Sequence, residues 1–299
     1  MKMILLFFDG VGLAPAGPNN PFSQELPFIS SIIGGPLIAE SAQSGAGLIF
    51  SGLDACLGVE GMPQSATGQT ALFTGINAPE KIGYHHPAFP GAELRDLIAE
   101  HALLKQAEEA GFRSTFANAY TPYYFDLVES GKRKHSVTTL SVYAAGQSFR
   151  SVEDYKAGRA VYWDFSGRHI HQHESFGIQP LSPGEAGRRI AGLSADFDLV
   201  IFENFMPDLI GHKGNAARAA EFIDEMDTFF RGLVEALDGD TSVILTSDHG
   251  NMEDLGLKGH TRNPAMLFVL GPAAEYFASA ARLTDITPAI LAALAASPE

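Results

Sequence analysis

Short uninterrupted apolar runs alternate along this chain with longer stretches of helical spacing. The run "MILLFF", Met3 to Phe8, is apolar at every position and stops at Asp9-Gly10. A strand buried on both faces, as in a parallel sheet, carries that pattern. "LVIFEN" (199–204), "SVILTS" (242–247) and "AMLFVLG" (265–271) share it. Between them, apolar residues recur every three to four positions in "LRDLIAEHALLKQAEEAG", which closes on Gly111, in "SPGEAGRRIAGL" and in "NAARAAEFIDEMDTFFRGLVEAL". Ser182 is placed to cap the second of these helices, with Pro183 at its first position. "LTDITPAILAALAA" predicts a further helix.

Strands alternating with helices predict an α/β fold: a doubly wound, mostly parallel sheet with helices on both faces. Ligands of such sheets collect beyond the carboxyl ends of the strands. Asp9, Glu203, Asn204, Asp248 and His249 stand at those ends.

Residues 120–181 break the rhythm and read as a small cap-like insertion in a core made of residues 1–119 and 182–299. The insertion holds "LVESGKRKHSVTTLSVYAAGQSF", the helix-like "SVEDYKAGRA" and "VYWDFSGRHIHQHESFG", whose alternation predicts strands. On a strand His169, His171 and His173 would share one face. A solvated hairpin, or contact with substrate, is favoured over a structural metal there.

Composition narrows the function. Of 299 residues 45% are hydrophobic and 18% charged, with 31 Gly and 17 Pro, which is a globular, loop-rich profile. The formal net charge of −15 argues against nucleic acid and against an anionic membrane surface as partners. A phosphate substrate would need local positive charge to overcome that field. Cys56 is the only cysteine, which excludes an intramolecular disulfide and predicts a reducing, cytoplasmic setting. The first apolar run stops at Asp9 without a small-residue cleavage site, and no run approaches the roughly 18 residues of a membrane span. Oligomeric state leaves no mark in the sequence.

Candidate chemistry lies in four stretches: "FFDGVG" with Asp9, "MPQSATGQTALFTG" with Ser65, "FMPDLIGHKG" with Asp208 and His212, and "TSDHGNMEDLGLKGHT" with Asp248, His249 and His260. Asp208 and His212 are four residues apart and share one side of a helix. Imidazole with carboxylate suits manganese or zinc better than calcium. "SATGQTALFTG" reads as a helix start, where backbone N–H groups can hold a phosphoryl group.

The ordered set "DLIGH", "SDHG" and "GHT", after a strand ending in Asp-Gly, resembles the alkaline phosphatase superfamily. Within it, the likeness is to the metalloenzyme branch of cofactor-independent phosphoglycerate mutase and phosphopentomutase, over residues 1 to about 80 and about 196 to 270. The resemblance implies two divalent metal ions, manganese or zinc, one held by Asp208, His212 and His260 and the other by Asp9, Asp248 and His249. It implies Ser65 as nucleophile, with Thr67 and Thr70 as alternatives, and sets Gln69 where the family has histidine. Lys213, Arg262, Arg168 and Gln69 are the candidate contacts to substrate phosphate.

The implied activity is two-metal phosphoryl transfer on a small phosphorylated substrate through a phosphoserine. A phosphohydrolase is favoured over a phosphomutase, because a short insertion excludes water poorly. A non-catalytic, metal-retaining binding protein is a further alternative, prompted by Gln69.

Overall fold

The computed structural model describes residues 1–171 and 176–296, so His173 and the side chain of His171 lie outside the described residues. The strands are β1 (Lys2–Phe8), β2 (Gln43–Gly45), β3 (Leu48–Leu53), β4 (Ser114–Phe116), β5 (Ala119–Tyr120), β6 (Arg150–Ser151), β7 (Leu199–Asn204), β8 (Thr241–Thr246) and β9 (Ala265–Leu270). Among the described residues seven of them form one sheet, in the order β2-β3-β9-β8-β1-β7-β4. β8, β1, β7 and β4 pair in parallel, with β1 at the centre of the fold.

The alternation of side chains along β1 explains its unbroken apolar run. Met3, Leu5 and Phe7 enter one core with Leu72, Phe73 and Ile290, while Ile4, Leu6 and Phe8 enter a second with Phe222, Phe229 and Phe230. Both faces are dry from Met3 to Phe8, so none of those positions tolerates a polar residue. Helices cover each face, as expected of an α/β fold.

β9 departs from the parallel expectation. It runs antiparallel to β8 on one side and to β3 on the other. No helix forms in residues 247–264, so the chain returns directly, and only a parallel neighbour needs a long crossover. Met266 and Phe268 still enter one core and Leu267 and Val269 the other, which is why β9 has the composition of a parallel strand.

Two other expectations are corrected. "LRDLIAEHALLKQAEEAG" makes two helices, Ala92–His101 and Leu103–Glu109, because Ala102 takes an extended ψ of 135°. Residues Arg168–His171 form a helical turn rather than a strand. The Asp164 carboxylate accepts the N–H groups of Gly167 (2.6 Å) and His169 (2.9 Å) and meets His169 Nδ1 at 2.6 Å. An acidic side chain satisfying the first N–H groups of a turn outweighs the alternation. The helix Pro183–Leu193 forms as expected, with Ser182 accepting the Glu185 N–H.

Ala119, Val152, Tyr155, Ala160, Ile170 and Ile178 gather into a small core of their own. β5 pairs with β6 there. Among the described residues no helix is long and apolar enough to cross a membrane.

Candidate active site

Three parallel strands deliver the acidic and imidazole side chains to one edge. Asp9 follows β1, Asp248 and His249 follow β8, and Asp208 lies on the helix Met206–Lys213 that follows β7. His260 comes from the loop that returns to β9. Ser65 is the first residue of the helix Ser65–Thr74.

Two sets of donor atoms result, each within 4.8 Å of one another: Asp9, Asp248 and His249, and Asp208, His249 and His260. His249, expected in one set, belongs to both. Its Nε2 lies 3.3 Å from Asp9 Oδ1, 3.5 Å from Asp248 Oδ2 and 3.0 Å from Ser65 Oγ. The His249 and His260 rings stack at 3.7 Å between centroids. His212 stands at the rim, its Nε2 3.3 Å from Asp208 Oδ2 and its side chain 48% exposed.

These residues suit a divalent cation on the chemistry of the atoms they present. Asp9 Oδ1 and Asp248 Oδ2 are buried without a hydrogen-bond partner. His249 Nδ1 lies 3.3 Å from the Gly250 carbonyl and His260 Nδ1 2.7 Å from that of Pro63. An Nδ1–H donated to a carbonyl leaves Nε2 as a lone pair, the tautomer a metal requires. Burial, and then the neighbouring Asp248 and Asp208 carboxylates, hold the Asp9 carboxyl well above its usual range. Burial also lowers His249. Converging buried lone pairs with too few protons to share is the electrostatic condition that a cation relieves.

Ser65 Oγ faces this cluster, whereas the two alternative hydroxyls do not. Thr67 Oγ1 donates to the Gln64 carbonyl at 3.1 Å and Thr70 Oγ1 to that of Ala66 at 2.6 Å, along their own helix. Gln69 Nε2 donates to Asp9 Oδ2 at 3.2 Å, so the amide orients a candidate ligand. Lys213, Arg262 and Arg168 are exposed, and none lines the cavity above the site. Lys213 is five residues beyond Asp208 and so points to another side of the helix. Arg168 turns toward Glu225, 3.9 Å away.

That cavity has a volume of about 660 Å³ and reaches Asp9, Ser65, Gln69, Glu203 and Asp208. Arg133 and Lys134, from the "GKRKH" run, stand on its wall.

Glu253 and Asn251 carry no mark of function in the sequence, although both lie within "SDHGNME". Asn251 Nδ2 donates to Asp208 Oδ1 at 2.7 Å. The buried Glu253 carboxylate accepts the N–H groups of Gly12 (2.9 Å) and Asn251 (2.8 Å), Asn263 Nδ2 (3.0 Å) and the Thr261 hydroxyl. It therefore ties the loop after β1 to both ends of the loop after β8. A Cβ at Gly250 would run into Glu253 and Thr261, so glycine is there to let these loops close up. Glu253→Ala leaves several buried donors unpaired at once and is expected to cost about 3 kcal/mol. Denaturant unfolding checks this; a loss under about 1 kcal/mol would show that the loops hold themselves.

A family model for the metalloenzyme superfamily matches residues 1–298. The chain is 30% identical over 131 residues to a 2,3-bisphosphoglycerate-independent phosphoglycerate mutase of Cereibacter sphaeroides, covering 39% of this chain and 25% of that protein. The mutase of the same name from Dinoroseobacter shibae is 25% identical over 229 residues, 68% of this chain and 43% of that one. The chain thus spans less than half the length of these curated relatives. Among solved structures, a protein from Pyrococcus horikoshii superposes with a TM-score of 0.58 at 12% identity, covering 100% and 98% of the two chains. The alkaline phosphatase of the Antarctic bacterium TAB5 does so with a TM-score of 0.51 at 16% identity, covering 99% and 98%. Those two likenesses establish the architecture of the sheet and its helices. Matched along nearly its whole length, the chain belongs to the metalloenzyme superfamily and has an alkaline phosphatase-like fold.

Proposed function

We propose that this protein is a metal-dependent phosphohydrolase that acts on a phosphate ester through a phosphoserine at Ser65. The observation that carries the reading is Ser65 Oγ, at the first turn of a helix, 3.0 Å from the imidazole common to both donor sets.

Asp9, Asp248 and His249 would hold one divalent ion, manganese or zinc, and Asp208, His249 and His260 the other, with His212 at the rim. When bound, such ions supply Lewis-acid stabilisation of phosphate charge and ease ionisation of a nearby hydroxyl. Ser65 Oγ forms a bond to phosphorus as the ester P–O bond breaks. The Ser65 proton passes to solvent and the leaving oxygen takes one up. Water then attacks the phosphoserine, releasing inorganic phosphate and restoring the hydroxyl. The N-terminus of the Ser65–Thr74 helix would favour the negative charge of the phosphoryl group. Gln69 keeps Asp9 in place throughout.

Transfer to water is favoured over return to the substrate because the site has a wet rim. The half-exposed His212 ring sits 3.3 Å from Asp208, so solvent has access to that side of the donor atoms. A mutase must keep water from the phosphoserine while its intermediate turns over. The second reading, a phosphomutase, is supported by the names of the curated relatives.

Elemental mass spectrometry on chelator-free protein, paired with turnover of 4-nitrophenyl phosphate in added manganese or zinc, separates the alternatives. About two ions per chain with stoichiometric phosphate release is the expected result. On a phosphate ester that carries a second hydroxyl, such as a phosphoglycerate, an isomerised ester without free phosphate would establish the mutase. Metal without turnover of either kind of ester would make the protein a ligand-binding relative.

A further inference from the structure

We infer that the substrate of this site is a phosphate ester whose leaving group carries a planar aromatic ring. The inference rests on the phosphoryl-transfer reading for the position of the phosphate and extends it to the rest of the molecule. From Ser65, Asp9 and Asp208 the 660 Å³ cavity runs to a wall built by Tyr120, Tyr124, Tyr162, Trp163 and Phe205.

The rings are half-buried rather than sealed in the core, so they present surface to the cavity. They brace one another: Tyr120 and Tyr124 meet edge to face at 4.9 Å, and Trp163 lies 5.9 Å from Tyr162 and 6.0 Å from Phe205. The Tyr120 and Tyr124 hydroxyls are already bonded, to Thr139 (2.9 Å) and to His135 (3.0 Å). The ring surface that lines the cavity is what remains for a ligand. Asn118, Thr121, Ser136 and Thr139 also line the cavity, and the wall of rings is the part of it that calls for an apolar ligand surface. A flat π system matches it, by offset or edge-to-face contact.

The charge on the same wall fits the ester end. Among the described residues neither Lys134 nor Arg133 makes an ion pair, and the Arg133 guanidinium lies over the Tyr124 ring, 5.5 Å from its centroid. Two such cations, in a protein of net charge −15, draw a dianionic ester to the cavity that the rest of the surface repels.

The test compares esters with the same kind of leaving oxygen. Adenosine 5′-monophosphate against ribose 5-phosphate differs only by the base, and benzyl phosphate against cyclohexylmethyl phosphate differs only in a flat against a puckered ring. The flat member of at least one pair is expected to have a kcat/KM higher by about 5- to 150-fold, the range of one base–aromatic stack. The first pair reports a nucleobase and the second a simple aryl group. Trp163→Ala should collapse the ratio, while Trp163→Phe retains most of it.

A second readout needs no turnover. Trp163 is the sole tryptophan, so its fluorescence should be quenched by adenosine 5′-monophosphate or benzyl phosphate and not by their partners. Ratios near one in both pairs with no selective quenching would overturn the inference. Selective quenching in a protein that turns over no ester would sustain the aromatic site while removing the phosphohydrolase reading.

Discussion

Ser65→Ala is expected to lower kcat on any phosphate ester by at least about 10³-fold, as losing a covalent nucleophile does. The loss should not be recovered by a neighbouring hydroxyl. Thr67 and Thr70 are in the same helix, but both donate to backbone carbonyls one turn back and are fully buried. Turning either toward the donor sets would break that bond and the packing around it. Metal content should be unchanged, because the Asp9, Asp248, Asp208, His249 and His260 atoms are held by other contacts. The decisive measurement is acid quench of the working enzyme followed by peptide mass spectrometry. Wild-type protein should yield a phosphorylated peptide containing Ser65, and the variant none. Undiminished turnover in the variant would remove the covalent step and leave direct attack by water.

The sheet is legible in the sequence because burial leaves a plain mark. β1 and β7 are apolar on both faces and stop at Asp9 and after Glu203-Asn204, so the order of residues alone marks the ligand edge. β9 shows the limit of that signal, since two-sided burial gives an antiparallel strand the composition of a parallel one. Motif order brings the acidic and imidazole residues to notice, although Asp9 and His260 are far apart in the chain. Their division between two ions is not legible, because His249 lies between both sets only once β1, β7 and β8 are side by side. Glu253 is hidden in a segment of turn-forming residues, where a carboxylate reads as solvated. Of its four donors only Asn251 is near it in sequence; Gly12 comes from the loop after β1, and Thr261 and Asn263 from the approach to β9. The aromatic wall is equally hidden, because Tyr120, Tyr124 and Trp163 come from an insertion with no regular spacing.

His249→Ala should empty both metal sites together, whereas His212→Ala should weaken only one. The imidazole of His249 is fully buried and faces Asp9 and Asp248 on one side and His260 on the other, so no water molecule can easily take its place. His212 is at a wet rim, where water can complete the coordination. Metal content by elemental mass spectrometry is expected to fall from about two ions per chain to well below one in His249→Ala, and in His212→Ala to stay above one. Thermal shift gives an independent reading: a ligand at about a thousandfold its Kd stabilises by about 4 kcal/mol. At roughly 2–4 °C per kcal/mol, that is a rise in Tm of about 8–16 °C on adding metal. His249→Ala should lose nearly all of the rise and His212→Ala less than half. Each variant is compared with its own chelated form, which removes the cost of the substitution to the fold itself. If His249→Ala kept a full complement of metal and the full rise, the imidazole would be a neighbour of the ions rather than their common ligand. The two donor sets would then have to be completed by His212, His260 and the carboxylates alone.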